Sequence, residues 1–310
     1  MPKDKVMVGI SMHPEALQTL QEAAEVEIYP WDFPQAELRS RIHRFDGMVV
    51  YTPDLYQPLF AEARRLRVMA CHACSPEMLN AAAQRDIIIS VTPTLHETVA
   101  DMTLALIFAA ARNISQVDAA IRRGEWGKID LKARYSGRDV FGKTLGILGL
   151  GRIGAILARR LQGFDMRLLY HDCVRKEALE DALNITYVPL AQLLAEADIL
   201  IVLVSLNEST YHLLGEAELY RMKRSAILVN TARGAVIDPQ ALYRALSERW
   251  IAAAGLDVFV QEPLKPDDPL LKLDNVVLSP HLGGSTKECD QAMVDDVLRV
   301  LRGERPRYPA

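Results

Sequence analysis

Thr144-Leu-Gly-Ile-Leu148 runs straight into Gly149-Leu-Gly-Arg-Ile-Gly154. An apolar strand, a turn with glycines at G-x-G-x-x-G spacing and a helical pattern over Ile153–Gln162 follow one another without a gap, and that context gives the glycines their meaning. Gly149 allows the tight turn, Gly151 lets backbone amides approach a pyrophosphate, and Gly154 lets helix and strand pack closely. Arg152 and Ile153 open a helix whose N-terminus turns its positive end toward the phosphates. The next strand, Arg167–Tyr170, leads to Asp172, 18 residues after Gly154. That is close to the roughly 20-residue spacing of an acid that binds ribose hydroxyls. A carboxylate there repels a 2′-phosphate, so NAD is expected over NADP, with Arg175 and Lys176 nearby weakening the preference.

Outward from this turn, short β-rich runs alternate with helical patterns, which implies βαβ units and parallel sheets, an α/β chain. Six strands are expected after it and around it: Thr144–Leu148, Arg167–Tyr170, Ile199–Val204, Ala226–Asn230, Ala253–Leu256 and Val276–Leu278. A smaller set precedes them: Val6–Ile10, Met48–Tyr51, Val68–Ala70 and Ile87–Ser90, with helices at Pro14–Ala24 and Pro58–Arg65. Glu97 to Arg123 reads as one long helix connecting two domains, and Gly124 to Arg138 as a loop. The last helix, from about Ser285 to Arg302, opens with Ser285-Thr-Lys-Glu288, a capping-box spacing. The domains expected are 1–102, 103–284 and a C-terminal piece, 285–310, returning to the first.

The 310 residues suffice for two domains, each with its own core. A formal net charge of −4, with no long basic run, argues against a nucleic-acid partner. No 18-residue apolar span and no signal-peptide core argue against a membrane and place the chain in the cytoplasm. Four scattered cysteines are expected to be reduced thiols. Cys71 and Cys74 form a C-x-x-C, but nothing completes a four-ligand metal site, so no metal is expected.

Three later strands each end on a polar residue: Asn230-Thr-Ala-Arg-Gly234, Gly255-Leu-Asp-Val-Phe-Val-Gln-Glu-Pro263 and Ser279-Pro-His-Leu-Gly-Gly284. In an open parallel sheet, ligands bind outside the carboxyl ends of the strands, so the three can converge. Arg233 offers a permanently charged fork for a carboxylate and an adjacent carbonyl oxygen. His281 can pass a proton to and from that oxygen, and Glu262 can stabilise the imidazolium. Taken singly, each has a plainer reading as a surface ion pair, a solvated loop acid or a structural histidine. All three behind a dinucleotide turn make that reading much weaker.

These motifs together resemble the D-isomer-specific 2-hydroxyacid dehydrogenase family, along almost the whole chain: Gly149–Gly154, Asn230–Gly234 with Asp238, Gly255–Pro263 and Ser279–Gly284, with fainter echoes at His96–Asp101 and Gly124–Trp126. The resemblance implies two Rossmann-like domains, a doubly wound parallel-sheet NAD-binding domain inserted in a smaller flavodoxin-like substrate domain. It implies an oxidoreductase that interconverts a small D-2-hydroxy acid and its 2-keto acid, with Arg233, Glu262 and His281 as the catalytic trio and a homodimer built through the cofactor domains. Ser205, Thr210, Thr231, Ala232, Asp257 and Gly283 are implied on the cofactor side with Arg233 and His281. Substrate contacts are implied for the Cys71–Ser75 loop at His72, Ala73 and Cys74, with Arg233 and His281.

The chain departs from the family pattern in that loop, where Cys71-His-Ala-Cys-Ser75 stands for Gly-x-Gly-aromatic-Asp, and at Ser205-Leu-Asn207, which stands for Pro-Leu-Thr. Tyr51 stands where phosphate-binding members place an Arg, which argues against a phosphorylated substrate. Two rival functions use the same features: an NAD-sensing corepressor-like binding protein, and a dehydrogenase of a small anion such as formate or phosphite.

Overall fold

Short runs of Val, Ile, Leu and Met bury both faces of a strand, as parallel sheets covered by helices require. In the computed structural model, which describes residues 3–30, 33–51, 53–72, 74–92 and 94–310, such runs build two sheets. The chain divides into two units, Met1–Thr98 with Gly284–Ala310, and Val99–Gly283.

The first unit contains β1 (Lys5–Val8), α1 (Pro14–Ala23), β2 (Glu25–Ile28), α2 (Gln35–Arg41), β3 (Gly47–Val50), β4 (Val68–Cys71), α3 (Pro76–Ala83) and β5 (Ile88–Val91). Its strands are parallel in the order β2-β1-β3-β4-β5, the flavodoxin-like winding. One face is closed by the last helix of the chain, Lys287–Leu301. Its Met293, Val294, Val297 and Leu298 pack with Val6, Val8, Val49, Val68 and Ala70. Thr286 caps this helix by accepting from Cys289 N–H, so the expected cap moves from Ser285 to its neighbour. The expected helix Pro58–Arg65 is instead a short 3₁₀ segment at Pro53–Leu59 followed by turns.

The second unit holds β6 (Thr144–Leu148), β7 (Arg167–His171), β8 (Ile185–Tyr187), β9 (Ile199–Val202), β10 (Ile227–Asn230), β11 (Ala253–Leu256) and β12 (Val276–Leu278). Their order is β12-β11-β10-β9-β6-β7-β8, all parallel. Winding therefore reverses between β6 and β9, the switch point at which ligands bind in such sheets. Helices α4 (Thr94–Arg112), α5 (Ile114–Arg122), α6 (Leu131–Tyr135), α7 (Arg152–Leu161), α8 (Glu177–Leu183), α9 (Leu190–Glu196), α10 (Glu216–Arg221) and α11 (Pro239–Ser247) accompany the strands. Two apolar clusters form the core of this unit. One contains Ile147, Leu157, Ile201 and Val229, the other Leu148, Leu200, Leu228 and Leu256.

The single helix expected over Glu97–Arg123 is two. Asn113 adopts a left-handed φ of 53°, and α4 and α5 meet at 64°. Asparagine tolerates that region better than most side chains. The loop expected from Gly124 to Arg138 contains the short helix α6, capped by Asp130. Among the described residues, no single helix is long and apolar enough to cross a membrane.

Candidate active site

The glycine turn lies at the carboxyl end of β6. Gly149 has φ +99°, and a Cβ there would come 2.8 Å from Val204 N, beyond β9. Turn and neighbouring loop can approach so closely only because the side chain is missing. A Cβ on Gly154 would meet Gly149 O at 2.9 Å. Gly151 is different: no atom lies within 4 Å of its would-be Cβ, and no side chain caps the helix it opens. That open space beside an uncapped N-terminus fits a pyrophosphate, with Arg152 exposed at the first helical position and Ile153 packed inward. Asp172 stands one strand over. Its Oδ2 accepts from Leu150 N–H at 3.0 Å and its Oδ1 from Val174 N–H at 3.3 Å. The carboxylate is thus held against the glycine turn, as a ribose ligand beside the diphosphate would be.

On the other side of the switch point, Thr210 closes its own loop. Its hydroxyl donates to Ser205 O at 2.6 Å and accepts from Asn207 N–H at 2.8 Å. Thr231 is buried, its hydroxyl 2.9 Å from that of Thr103 on α4. Asn230, to which the sequence assigns no role, shapes the turn that carries Arg233. Its Oδ1 accepts from Ala232 N–H and its Nδ2 donates to Arg233 O, both at 3.0 Å. An Asn at a strand exit is the available sequence signal for such a turn. Arg233 itself is exposed and donates to Ala232 O at 2.7 Å.

Glu262 and His281 meet, Oε2 lying 2.7 Å from Nδ1. The other carboxylate oxygen accepts from Phe259 N–H at 2.8 Å, so the acid is fixed at both ends. Partial burial pushes the Glu262 carboxyl upward. Hydrogen bonds from His281 and Phe259 N–H, with attraction to His281 and Arg233, outweigh it and hold the group below the ordinary carboxylate range. An ionised Glu262 favours the proton on Nδ1, which leaves Nε2 as the ring nitrogen turned away from the carboxylate.

Asp257, which is almost fully buried, secures the loop that carries the histidine. Its Oδ1 accepts from Leu282 N–H at 2.9 Å, its Oδ2 from Gly283 N–H at 2.8 Å, and its carbonyl from His281 N–H at 2.9 Å. His281 is bent into a left-handed φ of 56° there, a conformation that persists only when its surroundings over-determine it. A Cβ on Gly283 would lie 2.8 Å from Asp257 Oδ2, so only glycine leaves room for the bond. The structure therefore gathers Asp257, Glu262, His281 and Gly283 in one corner of the second unit, with the charge of Arg233 reaching Glu262.

Of the residues expected on the substrate side, His72, Ala73 and Cys74 belong to the first unit and Arg233 and His281 to the second. His72 packs its ring 4.9 Å from that of Tyr51, and its Nε2 lies 3.8 Å from Cys289 Sγ. Tyr51 OH is 3.4 Å from Ser285 Oγ. Cys74 is partly buried against the cluster around Cys71 and Met78. Ala73 lies outside the described residues.

Comparison with known proteins agrees with this architecture. The family model described as D-isomer specific 2-hydroxyacid dehydrogenase, NAD binding domain, matches residues 104–283. A glyoxylate reductase of Korarchaeum cryptofilum is 43% identical over 98% of this chain and 95% of its own. A crystal structure of the TT0316 protein of Thermus thermophilus superposes with a TM-score of 0.82 at 36% identity, covering 99% of both chains. An NADPH-dependent glyoxylate/hydroxypyruvate reductase of Sinorhizobium meliloti, solved with NADP and malonate, gives 0.75 at 30% identity, over 99% of this chain and 97% of that one. A doubly wound sheet with its glycine turn at the switch point, an Arg, Glu and His at the strand exits, and these likenesses along the whole chain place the protein in the D-isomer-specific 2-hydroxyacid dehydrogenase family, as a nicotinamide-dependent oxidoreductase.

Proposed function

We propose that this dehydrogenase reduces glyoxylate, or a 2-keto acid little larger, to the D-2-hydroxy acid with NADH, using Arg233, Glu262 and His281. The observation that carries this reading is the 2.7 Å contact between Glu262 Oε2 and His281 Nδ1, on a loop that Asp257 fixes through the backbone on both sides of the imidazole. When bound, the nicotinamide supplies a hydride to the carbonyl carbon. His281 Nε2–H gives its proton to the carbonyl oxygen, and Glu262 stabilises the imidazolium before the transfer. Arg233 holds the carboxylate and polarises the carbonyl, so positive charge waits where negative charge develops. In the oxidative direction the same nitrogen takes the proton back.

The 71–75 loop, with His72, Ala73 and Cys74, is the further element we assign to the substrate. Likeness to a glyoxylate reductase over nearly the full length supports a small keto acid. For the cofactor, the acid at Asp172 supports NAD over NADP. A homodimer is supported by the segment between α4 and β6, where Ile114, Trp126 and Phe141 are 53%, 76% and 62% exposed, an unusual outlay of large apolar side chains.

Turnover decides the reading. NADH oxidation is measured with glyoxylate, hydroxypyruvate, pyruvate and longer keto acids, and NAD reduction with formate and phosphite. The highest kcat/KM is expected with glyoxylate or hydroxypyruvate. Turnover of an inorganic or one-carbon anion without any keto acid would overturn it, as would tight NADH binding with no turnover at all.

A further inference from the structure

The stretch after β7, Asp172-Cys-Val-Arg175-Lys176, carries opposite instructions for cofactor choice. An acid at this exit selects the ribose 2′-hydroxyl, and an arginine beside it accommodates a 2′-phosphate. Where Arg175 is held therefore matters as much as its presence. Its Nε donates to Glu180 Oε1 and its Nη2 to Glu180 Oε2, each at 2.8 Å, a two-pronged grip that occupies one edge of the guanidinium. The guanidinium also lies 5.9 Å over the ring of Tyr187, with Glu177 Oε1 3.8 Å from Nη1.

Glu180 is anchored from beneath. Tyr170, fully buried in β7, donates its hydroxyl to Glu180 Oε1 at 2.7 Å and accepts from Lys176 N–H at 2.7 Å. One continuous set of bonds thus ties the backbone of the turn, a core tyrosine, the acid and the arginine. Hydrogen bonds from Arg175 and Tyr170 draw the Glu180 carboxyl down to about 2, so the grip stays charged at every pH used to assay such an enzyme. A bidentate pair tied to a buried partner spends less side-chain entropy than an ordinary surface ion pair, which is why this one can direct chemistry where most cannot.

We propose that Glu180 is a cofactor-specificity residue: by holding Arg175 it withholds the cation that would meet the 2′-phosphate of NADP, and so reinforces the preference set by Asp172. This rests on the reading of Asp172 as the ribose ligand. It has a consequence the Asp172 reading lacks. Removing the acid at 172 takes away repulsion but supplies no attraction while Glu180 keeps its hold, so a cationic contact to the 2′-phosphate requires a change at 180.

The test uses the full chain, with 2′,5′-ADP and 5′-AMP as probes in titration calorimetry and with NADH and NADPH in steady-state assays. Glu180→Gln keeps an acceptor for Tyr170 but loses the charge; Glu180→Ala removes the grip outright. Either variant, once shown folded by its thermal melt, is expected to bind 2′,5′-ADP about tenfold tighter, the worth of one charge-assisted contact to phosphate. Binding of 5′-AMP should change little, and KM for NADPH should fall more than kcat changes. Adding Arg175→Ala should abolish the gain, and adding Lys176→Ala should leave it. Unchanged 2′,5′-ADP affinity in both folded variants overturns the proposal, as does a gain that survives the loss of Arg175. Asp172→Ala separates the two claims. If it weakens NADH more than NADPH while the Glu180 variants do nothing, the ribose reading stands and the grip fails; if it weakens both equally, the ribose reading fails and the proposal falls with it.

Discussion

Replacing Gly151 with alanine should leave the fold intact and damage the binding of NADH, and the structure gives both magnitudes. The residue has φ −87° and ψ −159°, extended backbone that alanine adopts without strain. No atom lies within 4 Å of the added Cβ. Folding stability should therefore be unchanged or rise by up to about 1 kcal/mol through the lost freedom of the unfolded chain, a gain in Tm of no more than about 3 °C. The same methyl group stands in the open space we assign to a pyrophosphate. Crowding of that kind costs about 1–3 kcal/mol, which weakens NADH by about 5- to 150-fold. Gly149→Ala is the contrast. A positive φ and a Cβ 2.8 Å from Val204 N should lower Tm before any ligand is added. Calorimetric titration with NADH, beside a thermal melt of the ligand-free protein, reads both quantities. A Gly151→Ala variant with native Tm and native NADH affinity would refute the placement of the diphosphate on this turn.

Three further outcomes are expected. His281→Ala should cut keto-acid reduction by at least about 100-fold while the dissociation constant for NADH stays near the native value; comparable turnover would remove the imidazole from the mechanism. Glu262→Gln keeps an acceptor for Phe259 N–H but loses the charge. Because the folded carboxyl lies below its ordinary 4.5, the stability it contributes is present above pH 4.5 and is lost as pH falls through the folded value. Melts of the native and Gln proteins should therefore differ above about pH 5 and converge in stronger acid, and curves that diverge on acidification below about pH 4.5 would contradict the sign. Trp126→Asp should convert the proposed dimer to monomer in light scattering; a native protein that is already monomeric sinks the proposal.

The central strands and the glycine turn were legible because a strand buried on both faces must be apolar throughout, and because three glycines at fixed spacing answer to geometry. Two strands escaped notice, Glu25–Ile28 and Ile185–Tyr187. Both are edge strands, paired on one side only, and their sequences, Glu-Val-Glu-Ile and Ile-Thr-Tyr, carry too little apolar signal to separate them from loop. The bend at Asn113 was missed because apolar periodicity continues past it; a single left-handed residue redirects a helix without altering the pattern on either side. At the site, residue types at strand ends pointed to Arg233, Glu262 and His281, and the structure brings the last two into contact. The supports did not show in the sequence. Asp257 acts on the backbone of Leu282 and Gly283, and Glu180 acts through Arg175, so each depends on a spatial neighbour that no local spacing announces.

The last helix of the first unit has a bearing on how the chain comes off the ribosome. Val99–Gly283 is continuous, so its sheet can be completed as soon as that stretch has emerged. The first sheet must wait. Until Lys287–Leu301 arrives, Val6, Val8, Val49, Val68 and Ala70 lack the Met293, Val294 and Val297 side chains that cover them, each covering side chain worth about 1.5–3 kcal/mol once buried. The half made first is thus finished last, and the nascent chain carries an uncovered apolar surface through most of its synthesis, a state in which chaperones would find it.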